Sequence, residues 1–219
     1  MDLQALKYIN YATSIVLRHL ILLILPIVVG YFIFIEDPEK VDVLSYFYSL
    51  VLLFLYTPVA FGYFFEIVVN KQRLSLFEIF KKHWLNVTII LLLIGLSCVF
   101  LIFLLASIID PNLLIGFFVI SINIITLYII PLVFYMGRDV KTISLGLKCL
   151  FGNVAFNSPL IILSMVPIIL NVLIYKITGK EVNSIEIHMF KWVWLIIIDY
   201  ILFVSALLIL EDKVLKKEE

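Results

Sequence analysis

Residues 57–87 read TPVAFGYFFEIVVNKQRLSLFEIFKKHWLNV, and this stretch decides what the chain can build. Positions 57 to 69 carry one charged side chain, Glu66, among apolar residues, the composition of a helix leaving hydrocarbon. Lys71 and Arg73 mark the exit. Over 72–84 the spacing puts Leu76, Phe77, Phe80 and Trp84 on one face, with Ser75, Glu78, Lys81 and Lys82 opposite. Glu78 and Lys82 stand in the favourable i,i+4 order. The pattern predicts an amphipathic helix in the interface plane, its aromatics in the acyl boundary. A new apolar run opens at Val87.

The same order of parts recurs on both sides. At ~20 residues per span, apolar runs near 17–35, 43–69, 87–109, 113–135, 159–175 and 190–210 predict six transmembrane helices. The first run is longer than the ~7–15 residues of a signal-peptide core and is expected to remain as a span. The second is too long to cross upright, so it should tilt, kink near Pro58 or project at its Glu66 end. Two more amphipathic segments are expected. Over 2–20, Gln4, Lys7, Tyr11, Ser14 and Arg18 oppose Leu3, Leu6, Ile9 and Val16; over 139–151, Lys141, Ser144 and Lys148 oppose Val140, Ile143, Leu147 and Leu150, with Gly152 and Asn153 as stop residues.

Composition agrees with this reading. Hydrophobic residues are 64% of 219 and charged residues 15%, with a mean hydropathy of +1.18, against the ~45–50% apolar usage of soluble domains. The expected class is an all-α integral membrane protein, residues 1–219 forming a single membrane domain with no room for a separate soluble one. Net charge is zero, which argues against nucleic acid as a partner. Of the 16 Lys and Arg residues, twelve fall on one predicted side and only Lys40, Lys176, Lys180 and Lys191 on the other. The positive-inside rule therefore puts both termini and all three amphipathic helices on the cytoplasmic side of a bacterial cytoplasmic membrane. Cys98 and Cys149 should lie at different depths and remain free thiols.

An internal repeat orders these parts. Pro38 and Pro111, Pro58 and Pro131, and Phe61 and Phe134 each stand 73 positions apart. The predicted unit is a cytoplasmic amphipathic helix followed by a helical hairpin, used three times over about 1–70, 71–137 and 138–212, with a short charged tail at 213–219. Units with an even number of spans all point the same way.

PVAFGYFFEIVV followed by SLFEIFKKHW, and IIPLVFYMGRDVKTISLGLKCLFGN followed by a new span, cover about residues 57 to 175. This part resembles the bacterial six-span membrane-protein superfamily that includes the membrane domain of glycerophosphoryl diester phosphodiesterases and related families of unknown function. Pro58, Gly62, Pro131, Gly152 and Asn153 match its pattern, while Tyr135 stands where the first span exit has Gly62. The resemblance implies a fold and a location rather than a reaction.

Asp199 is the sharpest chemical feature. A carboxylate mid-span costs ~2.5–3.5 kcal/mol on insertion scales and should face the bundle interior with a partner. By depth, Asn123 is the expected partner and Asn171 the second choice, so Asp199, Asn123 and Asn171 form the candidate intramembrane polar cluster. It reads either as an ion or proton relay or as a satisfied buried pair, the second being preferred. Glu66 and Asp139 are expected to balance Arg73 and Arg138. His19, His83 and His188 fall on different segments and are expected as interfacial residues, so no metal site is predicted. No Gly-rich phosphate loop, HExxH, GxSxG or CxxC motif occurs. Lys81, Lys82, Trp84, Lys141 and Lys148 are the candidate lipid-surface contacts. The expected function is non-enzymatic and without cofactor: organising membrane lipid, anionic lipid in particular, or a membrane-protein partner through the basic amphipathic helices. The alternative is a small-solute or ion transporter using the Asp199 region.

Overall fold

Pro58 sets the winding of the helix that contains it. Proline has no N–H to give to the carbonyl four residues back, here Phe54, and the chain adapts by widening. Leu52–Tyr56 and Glu66–Asn70 are π-helical turns on either side of an α-helical Thr57–Phe65. The expected kink at Pro58 is thus a change of winding, of the kind that accompanies interruptions of the i→i−4 ladder. The Phe54 carbonyl freed by Pro58 accepts from Trp84 Nε1 at 2.7 Å and from Thr88 Oγ1 at 3.3 Å.

The computed structural model describes residues 3–35, 50–105, 111–178 and 185–213, and among these the chain is helical apart from short turns, with no strand. The helices are α1 (Leu3–Arg18), α2 (Ile24–Ile35, after a 3-10 turn Leu20–Leu23), α3 (Leu52–Asn70), α4 (Leu76–Leu105), α5 (Pro111–Met136), α6 (Val140–Phe151), α7 (Val154–Thr178) and α8 (Ile185–Lys213). Three of them, α3, α4 and part of α8, are long and apolar enough to cross a membrane, and up to five spans result if each of two bent helix pairs counts as one. The six expected spans are thus matched by three to five candidates. The outer turn at Asp37 and Pro38 and residues 179–184 of the 176–188 loop lie outside the described residues.

The bent pairs are the two places where an amphipathic helix turns into an apolar one. The α1 segment meets the 20–33 segment at 75°, and the α6 segment meets the start of α7 at 101°. The second bend follows the expected stop residues. Asp139 caps α6, accepting from Lys141 N at 2.9 Å, and the helix ends at Phe151 with Gly152 after it. Asn153 Oδ1 then takes the Phe156 N–H at 3.0 Å as an N-cap. Buried Asn157 donates to the carbonyls of Cys149 and Leu150 at 2.8 Å and accepts from Tyr128 Oη at 2.7 Å, tying the bend to α5.

The amphipathic stretch at 76–84 differs from expectation. It is not a separate interfacial helix but the first turns of α4, which runs unbroken through residue 105. Ser75 and Glu78 form a reciprocal cap, with Ser75 Oγ and N 2.7 and 2.8 Å from Glu78 Oε2. Nothing between Trp84 and Val87 then breaks the helix, since Leu85 and Asn86 lack the stopping geometry that Gly152 and Asn153 supply. The face turned inward is Ile79, His83, Val87 and Ile90, while Phe77 is 75% exposed.

Helix α8 is the central post. It packs against α1, α2, α3, α5 and α7, and its side chains enter both hydrophobic cores. One core joins Tyr200, Phe203, Val204 and Leu207 to Phe64, Phe65 and Phe134; the other joins Ile198, Leu202 and Ala206 to Tyr128, Phe156 and Leu160. A helix covered on two sides has little use for a polar stripe, which is why its sequence is apolar nearly all round. Both cysteines are free.

Candidate functional site

Glu66 begins the wide turn that ends α3, and its side chain is only 1% exposed. Two features of the sequence bring donors to it. Gly62, one turn earlier, lets α4 come close: a Cβ there would fall 2.6 Å from Ile79 Cγ2 and 3.2 Å from His83 Cδ2. The approach places Lys82 and His83 over the carboxylate, while Asn70 reaches back from the same turn. Glu66 Oε1 accepts from Lys82 Nζ and from His83 Nε2, both at 2.7 Å, and Oε2 accepts from Asn70 Nδ2 at 2.7 Å.

With Glu66 ionised, an acceptor only, His83 Nε2 must carry the hydrogen. The His83 ring lies edge-on to Phe65 at 5.6 Å and against Phe134 at 4.9 Å, so its orientation is fixed by aromatic packing as well as by the carboxylate. Lys82 keeps 49% of its side chain exposed, its stem running out while its ammonium turns in. Both carboxylate oxygens are used. The arrangement is a clasp that holds the end of α3 to the beginning of α4, rather than an open carboxylate presented to a substrate. Beside it Tyr135, 5.0 Å from Phe65 ring to ring, has the only buried side-chain polar atom without a partner among the described residues.

The sequence-predicted residues are distributed differently from expectation. Glu66 is balanced by Lys82 and His83 and not by Arg73, and Asp139 serves as a helix cap and not as a partner of Arg138. His83, expected at the interface, is buried, and His19 pairs through Nδ1 with Tyr63 Oη at 3.1 Å. The side chain of His188 lies outside those described. Of the candidate lipid contacts, Lys81, Lys141 and Lys148 are exposed and carry no ion pair among the described residues. Lys82 and Trp84 instead point their polar atoms into the protein, toward Glu66 and the Phe54 carbonyl.

The Asp199 cluster lies only in part among the described residues. Asp199 and Asn123 are both exposed and no hydrogen bond joins their side chains; the Asn171 side chain is outside those described. At 100° per residue, Ile198 and Tyr200 face the two separate cores of α8, and Asp199 falls on the seam between them. Depth along the membrane normal placed Asn123 level with Asp199, but depth says nothing about azimuth. The Glu66 clasp, conversely, was missed because its members lie on two helices joined by a turn. Only the Glu66 to Asn70 spacing of four is visible in sequence.

The chain matches no protein-family model, no curated protein and no solved structure.

Proposed function

We propose that this chain is a multipass, non-enzymatic protein of the bacterial cytoplasmic membrane that organises anionic lipid, or a membrane-protein partner, through basic side chains at its cytoplasmic face. In this reading six spans are arranged as three repeats of an amphipathic helix and a hairpin, with both termini inside. The observation that carries it is the two-faced helix α6. Lys141, Ser144 and Lys148 are exposed, Thr142, Gly146 and Leu150 are buried, and the helix turns by 101° into apolar α7. A helix lying across the end of a span with its lysines turned outward suits a headgroup layer, where each basic residue contributes about 1 kcal/mol toward anionic lipid.

The test is lipid enrichment around the full chain reconstituted in mixed phosphatidylcholine and phosphatidylglycerol vesicles, read with spin-labelled lipids. Lys81→Gln, Lys141→Gln and Lys148→Gln together should abolish the preference for phosphatidylglycerol; an unchanged preference overturns the lipid reading. A second reading, transport of a small solute or ion, draws on the exposed Asp199 on the seam of α8. The same vesicles test it, because Asp199→Asn removes a titratable group and should abolish any proton-coupled flux.

A further inference from the structure

Pro26 repeats in α2 what Pro58 does in α3. It has no N–H for the Leu22 carbonyl four residues back, and that carbonyl accepts from Tyr56 Oη of α3. Leu22 belongs to the 3-10 turn Leu20–Leu23, which follows His19, whose φ of −120 and ψ of 32 lie outside helical geometry. The chain bends by 75° between the two segments that meet here. Tyr56 closes the wide turn Leu52–Tyr56, and in the middle of the same turn the Phe54 carbonyl is held by Trp84 Nε1 and Thr88 Oγ1 of α4. One turn of α3 thus gives a donor to the bend and takes two donors from α4.

Neighbouring contacts extend the same connection. Tyr63 Oη lies 3.1 Å from His19 Nδ1, and the two rings meet edge-on at 5.4 Å, so α3 touches the bend at a second point. Trp84 directly follows Lys82 and His83, which hold Glu66, and its ring stacks on Phe80 at 5.3 Å. The far end of α1 is tied to α8 by polar side chains at the surface, Tyr8 donating to Asp212 and Lys213 to Gln4, bonds that water can replace when a helix swings. A wide turn closes i→i+5 bonds in place of the i→i+4 ladder, so a change in its winding re-aims Phe54 and Tyr56 together.

We propose that the bend between α1 and α2 is a hinge whose angle is set by α4, with the wide turn Leu52–Tyr56 as the coupling element. While Trp84 holds the Phe54 carbonyl, the turn keeps its winding and Tyr56 stays on Leu22. Loss of that bond lets the turn rearrange, Tyr56 leaves the Leu22 carbonyl, and α1 changes its angle to α2 through the residues around His19, as hinges do at the ends of elements. The hinge decides how the exposed face of α1, with Lys7, Tyr11 and Arg18, is set against the bundle. The coupling runs through hydrogen bonds inside the chain and stands independently of the lipid-organising reading.

Spin labels at positions 10 and 28, in the full chain with Cys98 and Cys149 changed to Ser and reconstituted in phosphatidylcholine vesicles, report the angle between α1 and α2 as a distance distribution. Trp84→Phe removes the N–H and keeps a ring beside Phe80, while Pro58→Ala supplies a backbone N–H that competes with Trp84 for the Phe54 carbonyl. Each should shift the main distance or add a second one. Tyr56→Phe alone should also alter the distribution, and adding either variant to it should change nothing further, because effects carried by one shared bond do not add. A wild-type distribution in Trp84→Phe, or in Pro58→Ala where Trp84→Phe does not fold, overturns the proposal; so does a shift that persists undiminished on top of Tyr56→Phe. None of these residues is among Lys81, Lys141 and Lys148, so failure here leaves the function proposed above standing, and failure of the lysine triple variant leaves the hinge standing.

Discussion

Glu66 shows how one buried carboxylate can order its surroundings. Its three donors come from a lysine that can return to water and from His83 and Asn70. Replacing it with Leu frees Lys82 at little cost, because half of that side chain is already exposed. His83 is different: buried at 4% exposure, its Nε2–H would lose its acceptor, and an unsatisfied buried group costs about 1–3 kcal/mol. We expect Glu66→Leu to lower the thermal midpoint in detergent, Glu66→Gln to lower it less because one acceptor oxygen remains, and His83→Leu to recover part of the Glu66→Leu loss. A Glu66→Leu protein as stable as wild type would mean that the clasp holds nothing. This clasp was hidden in the sequence, where Lys82 read as a member of a charged surface face and His83 as an interfacial residue; periodicity gives the face of a helix but not which neighbour covers it. No hydrogen bond joins Asp199 to Asn123 among the described residues, and equal depth does not imply facing positions.

Helix contacts in this chain include close approaches at Gly62 and Gly146. At Gly62 a Cβ would meet the Ile79 side chain at 2.6 Å, and at Gly146 it would meet the Ile129 Cγ1 at 2.6 Å and its backbone N and Cα at 3.0 and 3.1 Å. A side chain can shift where backbone cannot. Gly62→Ala is therefore expected to destabilise by about 1–3 kcal/mol, as overpacking does, and Gly146→Ala by more. A Cβ added at Gly95 on α4 would meet nothing within 4 Å, so Gly95→Ala should stabilise by up to ~1 kcal/mol through helix propensity. Chemical denaturation of the three variants tests the order; equal effects would contradict the packing described. What the sequence disclosed about these elements was uneven. Gly152 and Asn153 carry local stop chemistry and were legible as the end of α6, whereas Asp139 read as a counter-charge rather than a cap, and the continuity of α4 depends on the absence of a breaker at Leu85 and Asn86 and on Trp84 and Thr88 binding the carbonyl that Pro58 frees.

Taken together, the helices leave α8 enclosed and α4 peripheral: 61% of the most apolar stretch of α8 is buried against 17% for that of α4. Under the proposed repeat, Glu66 and Asp139 are equivalent by the 73-residue offset, yet one is a buried clasp and the other a helix cap. The reason is length. From Pro58 to left-handed Lys71 is 13 residues, and from Pro131 to left-handed Gly137 only six, so the first exit carries about two extra turns and Glu66 lies within them. The apolar character and helical class of the whole chain were readable from composition; the number of spans and their azimuths were not, because hydropathy records burial in lipid and burial in protein alike. The proposed orientation places the clasp and α6 together at the cytoplasmic face. With Cys98 and Cys149 changed to Ser, single cysteines at Lys40, Lys180, Lys81 and Lys141 should be probed in intact cells with a membrane-impermeant maleimide. Labelling at positions 40 and 180, and at 81 and 141 only after the membrane is opened, is the result expected; labelling of 81 or 141 from outside would contradict the proposed orientation and the lipid-organising reading with it.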